Sequence, residues 1–224
     1  VAVNFPVLTA RWIYERYLTG LPPQTNYKVY DSSAGWGSRL LGSLCSELPI
    51  HYIGTDVNTE NRGCYEDLGR FYNSNCNGRN TYEIYYEGSE VIGDNPKFQK
   101  HINDVDLIFT SPPYFQKRKY LKNGSGLGGE KSPDLYVSNL IDHLGDCRRV
   151  LSDKGSFFLN LGDTYLRGNL QNIPHRVAIG LQGDGWILRN TIIWAKTNPK
   201  PSSSKSNLCP TYEFIFHFVK GKDY

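Results

Sequence analysis

The chain has 224 residues, of which 39% are hydrophobic and 21% charged, with a formal net charge of +3. That length suits one domain with a sizeable core, and no apolar run approaches the roughly 18 residues of a membrane span. No basic n-region leads into an apolar h-region, so no signal peptide is read, and the weak positive balance leans toward polyanions without singling one out.

The elements alternate along the chain. VLTARWIYERYL (7–18) has a helical period, KVYDSS (28–33) is a short apolar strand, SRLLGSLCSEL (38–48) a helix and IHYIGTDV (50–57) a strand. ENRGCYEDLGRFYNSN (60–75) carries helix-spaced aromatics, TYEIYYEG (81–88) is a strand, EVIGDNPKFQKHI (90–102) a weak helix and DVDLIFTS (104–111) a strand. One helix is expected over 133–151, with Pro133 and Asp134 in its first turn and Arg148 and Arg149 in its last, as the helix dipole prefers. KGSFFLNLG (154–162) is a strand, NIPHRVAIGLQGDG (172–185) a helix, and RNTIIWAK (189–196) and TYEFIFHFVK (211–220) are two last strands. Alternating β and α argues for a parallel sheet with helices on both faces, and two strands with only a polar loop between them for an antiparallel hairpin at one edge. No internal repeat appears.

Cys45, Cys64, Cys76, Cys147 and Cys209 form no CxxC pair, and no His stands at zinc spacing from another. They read as reduced thiols of a cytoplasm-like compartment, most of them buried as small hydrophobes, and no metal is expected. Trp12, Trp186 and Trp194 are expected in the core. The chain has no methionine and begins with valine, so its ends are not taken as natural ones.

Two stretches carry chemistry. In DSSAGWGSRLLG (31–42), Gly35 and Gly37 allow a tight turn and close approach of a ligand, and Asp56 ends the next strand, where a carboxylate suits a ribose diol. The glycine pattern is AGWG, not GxGxxG, and does not specify a dinucleotide. Trp36, inside this turn, either touches an adenine or packs. The second stretch, TSPPYF (110–115), ends the fourth strand. Proline has no N–H to continue the ladder, so Ser111, Pro112, Pro113 and Tyr114 form a stiff turn at the strand end where open α/β sheets bind ligands. The Ser111 hydroxyl and the Pro112 carbonyl can accept from the two N–H bonds of a planar exocyclic amine and favour its pyramidal, nucleophilic form. The Ser111 hydroxyl can also donate, for instance to a ring nitrogen. The Tyr114 ring can stack on a base extruded from a duplex.

These stretches resemble the amino-group DNA methyltransferases, which methylate cytosine N4 or adenine N6 with S-adenosylmethionine. TSPPY is similar to their catalytic motif. DSSAGWG is similar to their cofactor loop, usually Asp-Pro-Phe-x-Gly-x-Gly, with Ser32 and Ser33 departing from Pro and Phe. YIGTDVN (52–58) resembles the ribose-binding strand, and FPVLTARWI (5–13) the segment beside the methionine end of the cofactor. NLGDTY (160–165), 184–205 and 211–220 resemble the stretch that follows SPPY.

The resemblance implies a Rossmann-like seven-stranded sheet, mostly parallel, as a single domain over 1–224. Here the cofactor half (about 1–103) precedes the catalytic half (104–224), the reverse of the order usual in the subgroup that the stretch after SPPY resembles, and with all seven strands assigned no separate target-recognition domain is expected. The resemblance implies a cytoplasmic enzyme of a prokaryote or phage, of the restriction-modification kind. S-adenosylmethionine would meet Phe5, Thr9, Asp31, Ser33, Ala34, Gly35, Gly37, Asp56, Val57, Glu87 and Ser111. Asp31 and the glycine turn would hold the methionine part. DNA, with a flipped base, would meet Lys117, Arg118, Lys119, Lys196, Lys200 and Lys205, whose cations can neutralise phosphates. Target readout would come from loops 115–133, 163–172 and 197–210, from a further segment, or from a partner. Ser before Pro-Pro favours cytosine N4, with adenine N6 as the alternative. Methylation of RNA or of a glutamine amide, and an inactive nucleic-acid-binding module, also stay open.

Overall fold

The computed structural model describes residues 5–76, 78–117, 126–199 and 206–222. In chain order the elements are α1 (Val7–Leu18), β1 (Tyr27–Asp31), α2 (Ser38–Leu44), β2 (Ile50–Thr55), α3 (Arg62–Asn75), β3 (Thr81–Tyr85) and β4 (Val105–Thr110). They continue with α4 (Pro133–His143), α5 (Gly145–Val150), β5 (Leu151–Leu161), β6 (Tyr165–Leu166), β7 (Asn169–Leu170), α6 (Ile173–Gly183), β8 (Ile187–Ala195) and β9 (Tyr212–Val219).

Seven strands form one sheet in the order β3-β2-β1-β4-β5-β9-β8. The first five pair in parallel, and β9 runs antiparallel between β5 and β8. The period-2 alternation of side chains separates two cores. Ile108, Phe157 and Phe216 face α4, α5 and α6 on one side, whereas Leu107, Phe109, Phe158 and Ile215 face α1, α2 and α3 on the other. Central β4 is buried on both faces because VDLIFT offers apolar side chains to each. This is the Rossmann-like arrangement expected, including the antiparallel pair at one edge.

Four expectations are corrected. The stretch 90–102 is not an α-helix but two 3-10 turns, Ile92–Asp94 and Gln99–His101. Pro96 cannot donate there, and Asn95 turns its own side chain onto the Lys97 N–H (2.9 Å). The crossover from β3 to β4 therefore lacks a helix. The helix over 133–151 breaks at Leu144, whose N–H is shared between the Leu140 and Ile141 carbonyls, each at 3.1 Å. Gly145 follows, the residue with the weakest helix preference after proline, and α5 restarts at a new angle that buries Cys147 and Val150. Of the five cysteines only Cys147 is buried. Trp12 is 56% exposed, while Trp186 lies in the core. No helix among the described residues is long and apolar enough to cross a membrane.

Candidate active site

The two motif stretches meet at the carboxyl ends of β1 and β4, which are paired neighbours. Gly35 and Gly37 both adopt left-handed backbone, with φ of +61° and +82°, which only glycine takes without strain. A Cβ on Gly37 would also stand 2.8 Å from Leu68 Cδ1. The turn is lashed to the end of β2: the Tyr65 hydroxyl stands between two acceptors, the Gly35 carbonyl and Asp56 Oδ2 (2.9 Å), and Asn61 Nδ2 donates to the same carbonyl at 2.9 Å. Asp56 Oδ1 accepts from the Asn58 N–H at 2.8 Å. Burial pushes the Asp56 carboxyl above its ordinary pKa, while those donors work against the rise. Ser33 is partly buried, Ala34 is buried, and Val57 and Trp36 are 47% and 49% exposed beside the turn. Glu87 is exposed and accepts from Asn95 Nδ2 at 2.8 Å. It lines an open groove of about 580 Å³ with Tyr85, Tyr86, Lys97 and Lys100.

Asp31 does not face an open site. It is fully buried, and its carboxylate takes the Arg39 guanidinium (2.6 and 3.3 Å), the Tyr52 hydroxyl (2.7 Å) and the Ser33 N–H (3.1 Å). Arg39 donates in turn to the Ser33 carbonyl. The pair thus clamps the backbone of the glycine turn from beneath. On the other flank the Phe5 ring packs edge-on against Phe109 (5.0 Å between centroids) and tilted against Trp194 (4.8 Å). Thr9, on α1, is partly buried.

The Ser111–Tyr114 turn is held from three sides. Tyr136 donates to the Pro113 carbonyl at 2.7 Å, and Phe115 is buried against the Tyr136 ring. No described residue donates to the Pro112 carbonyl. Ser111 Oγ donates to Asn160 Oδ1 at 3.2 Å, and the Tyr114 hydroxyl meets Glu213 Oε2 at 2.7 Å and Asn160 Oδ1 at 3.1 Å. The Asn160 amide orientation follows from its donation to the Phe214 carbonyl at 3.1 Å. With its proton on Asn160, the Ser111 hydroxyl has its lone pairs left to accept; the Tyr114 hydroxyl stands 3.4 Å from it. Lys196 is committed inward to Glu213, with its ammonium 5.4 Å from the Trp194 ring. Lys117 is exposed. Arg118, Lys119, Lys200 and Lys205 lie outside the described residues.

Arg39, Asn160 and Glu213 are the site residues that motif reasoning missed. A signal for two of them was present. Asn160 and Glu213 are polar residues inside otherwise apolar strand sequences, FFLNLG and TYEFIF, and a buried polar group in a strand calls for a partner. Among the described residues no group of three or more His, Cys, Asp or Glu side chains could hold a metal ion.

Residues 105–224 match the family model N6_N4_Mtase, described as DNA methylase. The type II methyltransferase M.SmaI of Serratia marcescens is 35% identical over 165 residues, 60% of this chain and 56% of that protein. M.MwoI of Methanothermobacter wolfeii is 40% identical over 125 residues, 54% of this chain and 19% of that protein. The chain thus matches little more than half of the first relative's length and a fifth of the second's. In fold, it superposes on TrmN of Thermus thermophilus with a TM-score of 0.60 at 13% identity, over 96% of this chain and 48% of that one. The glycopeptide N-methyltransferase MtfA, complexed with sinefungin, gives a TM-score of 0.58 at 10% identity, over 98% of this chain and 88% of that one. At those identities the likeness speaks for the fold alone.

Proposed function

Because the chain belongs to the N6/N4 DNA methylase family, we propose that it transfers a methyl group from S-adenosylmethionine to an exocyclic amino group of a DNA base. One observation carries this reading: the Ser-Pro-Pro-Tyr turn closes β4 directly beside the glycine turn that leaves β1, so a cofactor at one turn adjoins a base at the other.

The residues fit such a cofactor. A Cβ built on Gly35 has only the Ser33 carbonyl within 4 Å, at 3.7 Å, so the left-handed turn leaves room above it. Asp56 is only partly buried. In this reading Asp56 accepts from the ribose hydroxyls, and Ser33, Ala34, Gly35 and Gly37 line the methionine part, with Asp31 bracing them. Phe5 and Thr9 form the wall beside the sulfur, and Val57 and Glu87 flank the adenine. S-adenosylmethionine supplies a methyl group on a sulfonium, suited to in-line transfer.

Ser111 Oγ and the Pro112 carbonyl accept from the two N–H bonds of the amine. Their lone pairs face the positive charge that grows on nitrogen in the transition state. The Tyr114 ring stacks on the extruded base. Lys117, with Arg118, Lys119, Lys200 and Lys205, meets phosphates. Cytosine N4 is the favoured target, on the strength of Ser111 where an acidic or amide residue stands in enzymes resembling adenine methylators. The test is nucleoside mass spectrometry of DNA incubated with the protein and S-adenosylmethionine. N4-methylcytosine is expected; N6-methyladenine alone moves the target to adenine, and no methylated nucleoside overturns the reading.

A further inference from the structure

The phenol of Tyr114 is turned toward β5 and β9, where its hydroxyl meets Asn160 and Glu213. Its ring lies against Gly162, where a Cβ would stand 2.8 Å from Tyr114 Cε2 and 3.5 Å from the Glu213 side chain. Its hydroxyl meets Glu213 Oε2 at 2.7 Å, short and carried by a carboxylate, the strong kind of hydrogen bond. Glu213 is itself only 14% exposed, and its other oxygen takes the Lys196 ammonium. Lys196 is fixed in turn by its backbone N–H on the Thr211 carbonyl (2.7 Å), and its neighbour Trp194 sits opposite Glu213 in the β8–β9 ladder.

A tyrosine has one phenolic proton. The shorter, charged partner takes it, which leaves Asn160 Oδ1 to the Ser111 hydroxyl. The carboxylate therefore fixes where the hydroxyl end of the Tyr114 ring lies and keeps the phenol proton off the Ser111 oxygen, which stands 3.4 Å away. Without Glu213 the phenol proton would turn to Asn160 Oδ1 at 3.1 Å or to the Ser111 oxygen at 3.4 Å, and in the second case it would occupy a Ser111 lone pair.

Resting on the methyl-transfer reading above, we propose that Glu213, held by Lys196, is a positioning residue that anchors the Tyr114 ring and leaves Ser111 an acceptor toward the amine. Lys196 thereby serves the catalytic turn and not the DNA backbone. A residue that positions a ring should govern turnover and leave cofactor binding alone.

The experiment measures single-turnover methyl transfer to DNA and S-adenosylmethionine affinity for wild type, Glu213→Gln, Glu213→Leu, Tyr114→Phe and the Glu213→Leu/Tyr114→Phe double variant. Carbon-13 labelling at tyrosine Cζ reports the Tyr114 contact independently of turnover, its resonance being identified by its loss in Tyr114→Phe. Glu213→Leu and Tyr114→Phe should each lower the transfer rate by about 10- to 100-fold, the scale of a misplaced reacting group, with cofactor Kd unchanged. The double variant should fall no more than about 2-fold below the worse single one, since both remove one interaction. Glu213→Gln, which still accepts the phenol proton, should recover most of the rate while shifting the Tyr114 resonance. A wild-type rate in Tyr114→Phe, or losses that multiply in the double variant, overturns the positioning role while the methyl-transfer reading stands. An unshifted resonance in Glu213→Gln overturns the contact itself. A wild type that methylates no DNA overturns that reading, and the role with it.

Discussion

Ser32 Oγ donates to Thr110 Oγ1 across 3.1 Å, joining the end of β1 to the end of β4 between two buried side chains. Thr110 immediately precedes the Ser-Pro-Pro-Tyr turn, so one hydrogen bond ties the glycine loop to that turn. Proline, the family's usual residue at position 32, has no side-chain donor for this bond. The departure from the family pattern thus has a physical use.

The bond predicts a coupling. Ser32→Ala leaves the Thr110 hydroxyl buried without this partner and should cost about 1–3 kcal/mol of stability. Adding Thr110→Val removes the orphaned group, so the double variant should lose less than the sum of the two single losses. Urea unfolding of the three variants measures this, and additive losses would show that the two hydroxyls do not interact.

Beneath the same loop, Asp31 and Arg39 form a buried ion pair, with side chains 0% and 7% exposed. Removing one partner strands the other charge in the interior. Asp31→Ala should therefore destabilise the fold by about 3–5 kcal/mol, a larger effect than any surface carboxylate gives. Thermal unfolding checks this. If Asp31→Ala melts with the wild type, the clamp under the loop has no energetic weight.

The turn at the end of β4 and the sheet were legible because their signals are local. A run such as VDLIFT can only be a buried strand, and Pro112 and Pro113 end it wherever the chain goes next. Gly35 and Gly37 announced a tight turn in the same way. What was illegible depends on pairing register. Asn160 reaches Ser111 because β5 runs parallel beside β4 with Thr110 opposite Leu159, and Glu213 reaches Tyr114 because β9 runs antiparallel beside β5 with Asn160 opposite Ile215. Nothing local to these strands states either pairing. The helix wrongly expected over 90–102 failed for a local reason, since Pro96 and the Asn95 side chain compete with helical hydrogen bonds. Trp12 is exposed although α1 has the expected period, because periodicity locates a buried face without assigning every large side chain to it.

The proposed ribose contact of Asp56 predicts a pH dependence for cofactor binding. Burial raises its carboxyl pKa in the free protein, and accepting from a ribose diol requires the ionised form. Affinity for S-adenosylmethionine should be constant well above that pKa and weaken as the pH falls through it, at a higher pH than an ordinary aspartate would give. Asp56→Asn should bind more weakly and lose this acid limb. Calorimetry across a pH series reads both; an acid limb that persists unchanged in Asp56→Asn assigns it to another group.

His217 sets a second acid limb, this one in stability. It is 1% exposed on β9, stacked on Phe158 at 4.5 Å, with Nε2 at 3.1 Å from Ser156 Oγ and Nδ1 facing the Asn190 amide. Burial, with the Arg189 charge adding to it, holds its pKa down to about 4, against about 6.5 in an unfolded chain. The folded protein keeps this ring neutral where the unfolded chain already binds a proton. The sign follows: the histidine costs nothing above about pH 6.5, and stability drains as the pH falls from about 6.5 to about 4. Below that both states are protonated and the difference stops growing. At roughly 1.4 kcal/mol per pKa unit, the full loss is about 3 kcal/mol. His217→Gln keeps a polar contact for Ser156 without a titrating ring, so its unfolding free energy should change less between pH 7 and pH 4 than that of the wild type. Urea midpoints at the two pH values give the comparison, and equal slopes for both proteins would remove His217 as the source.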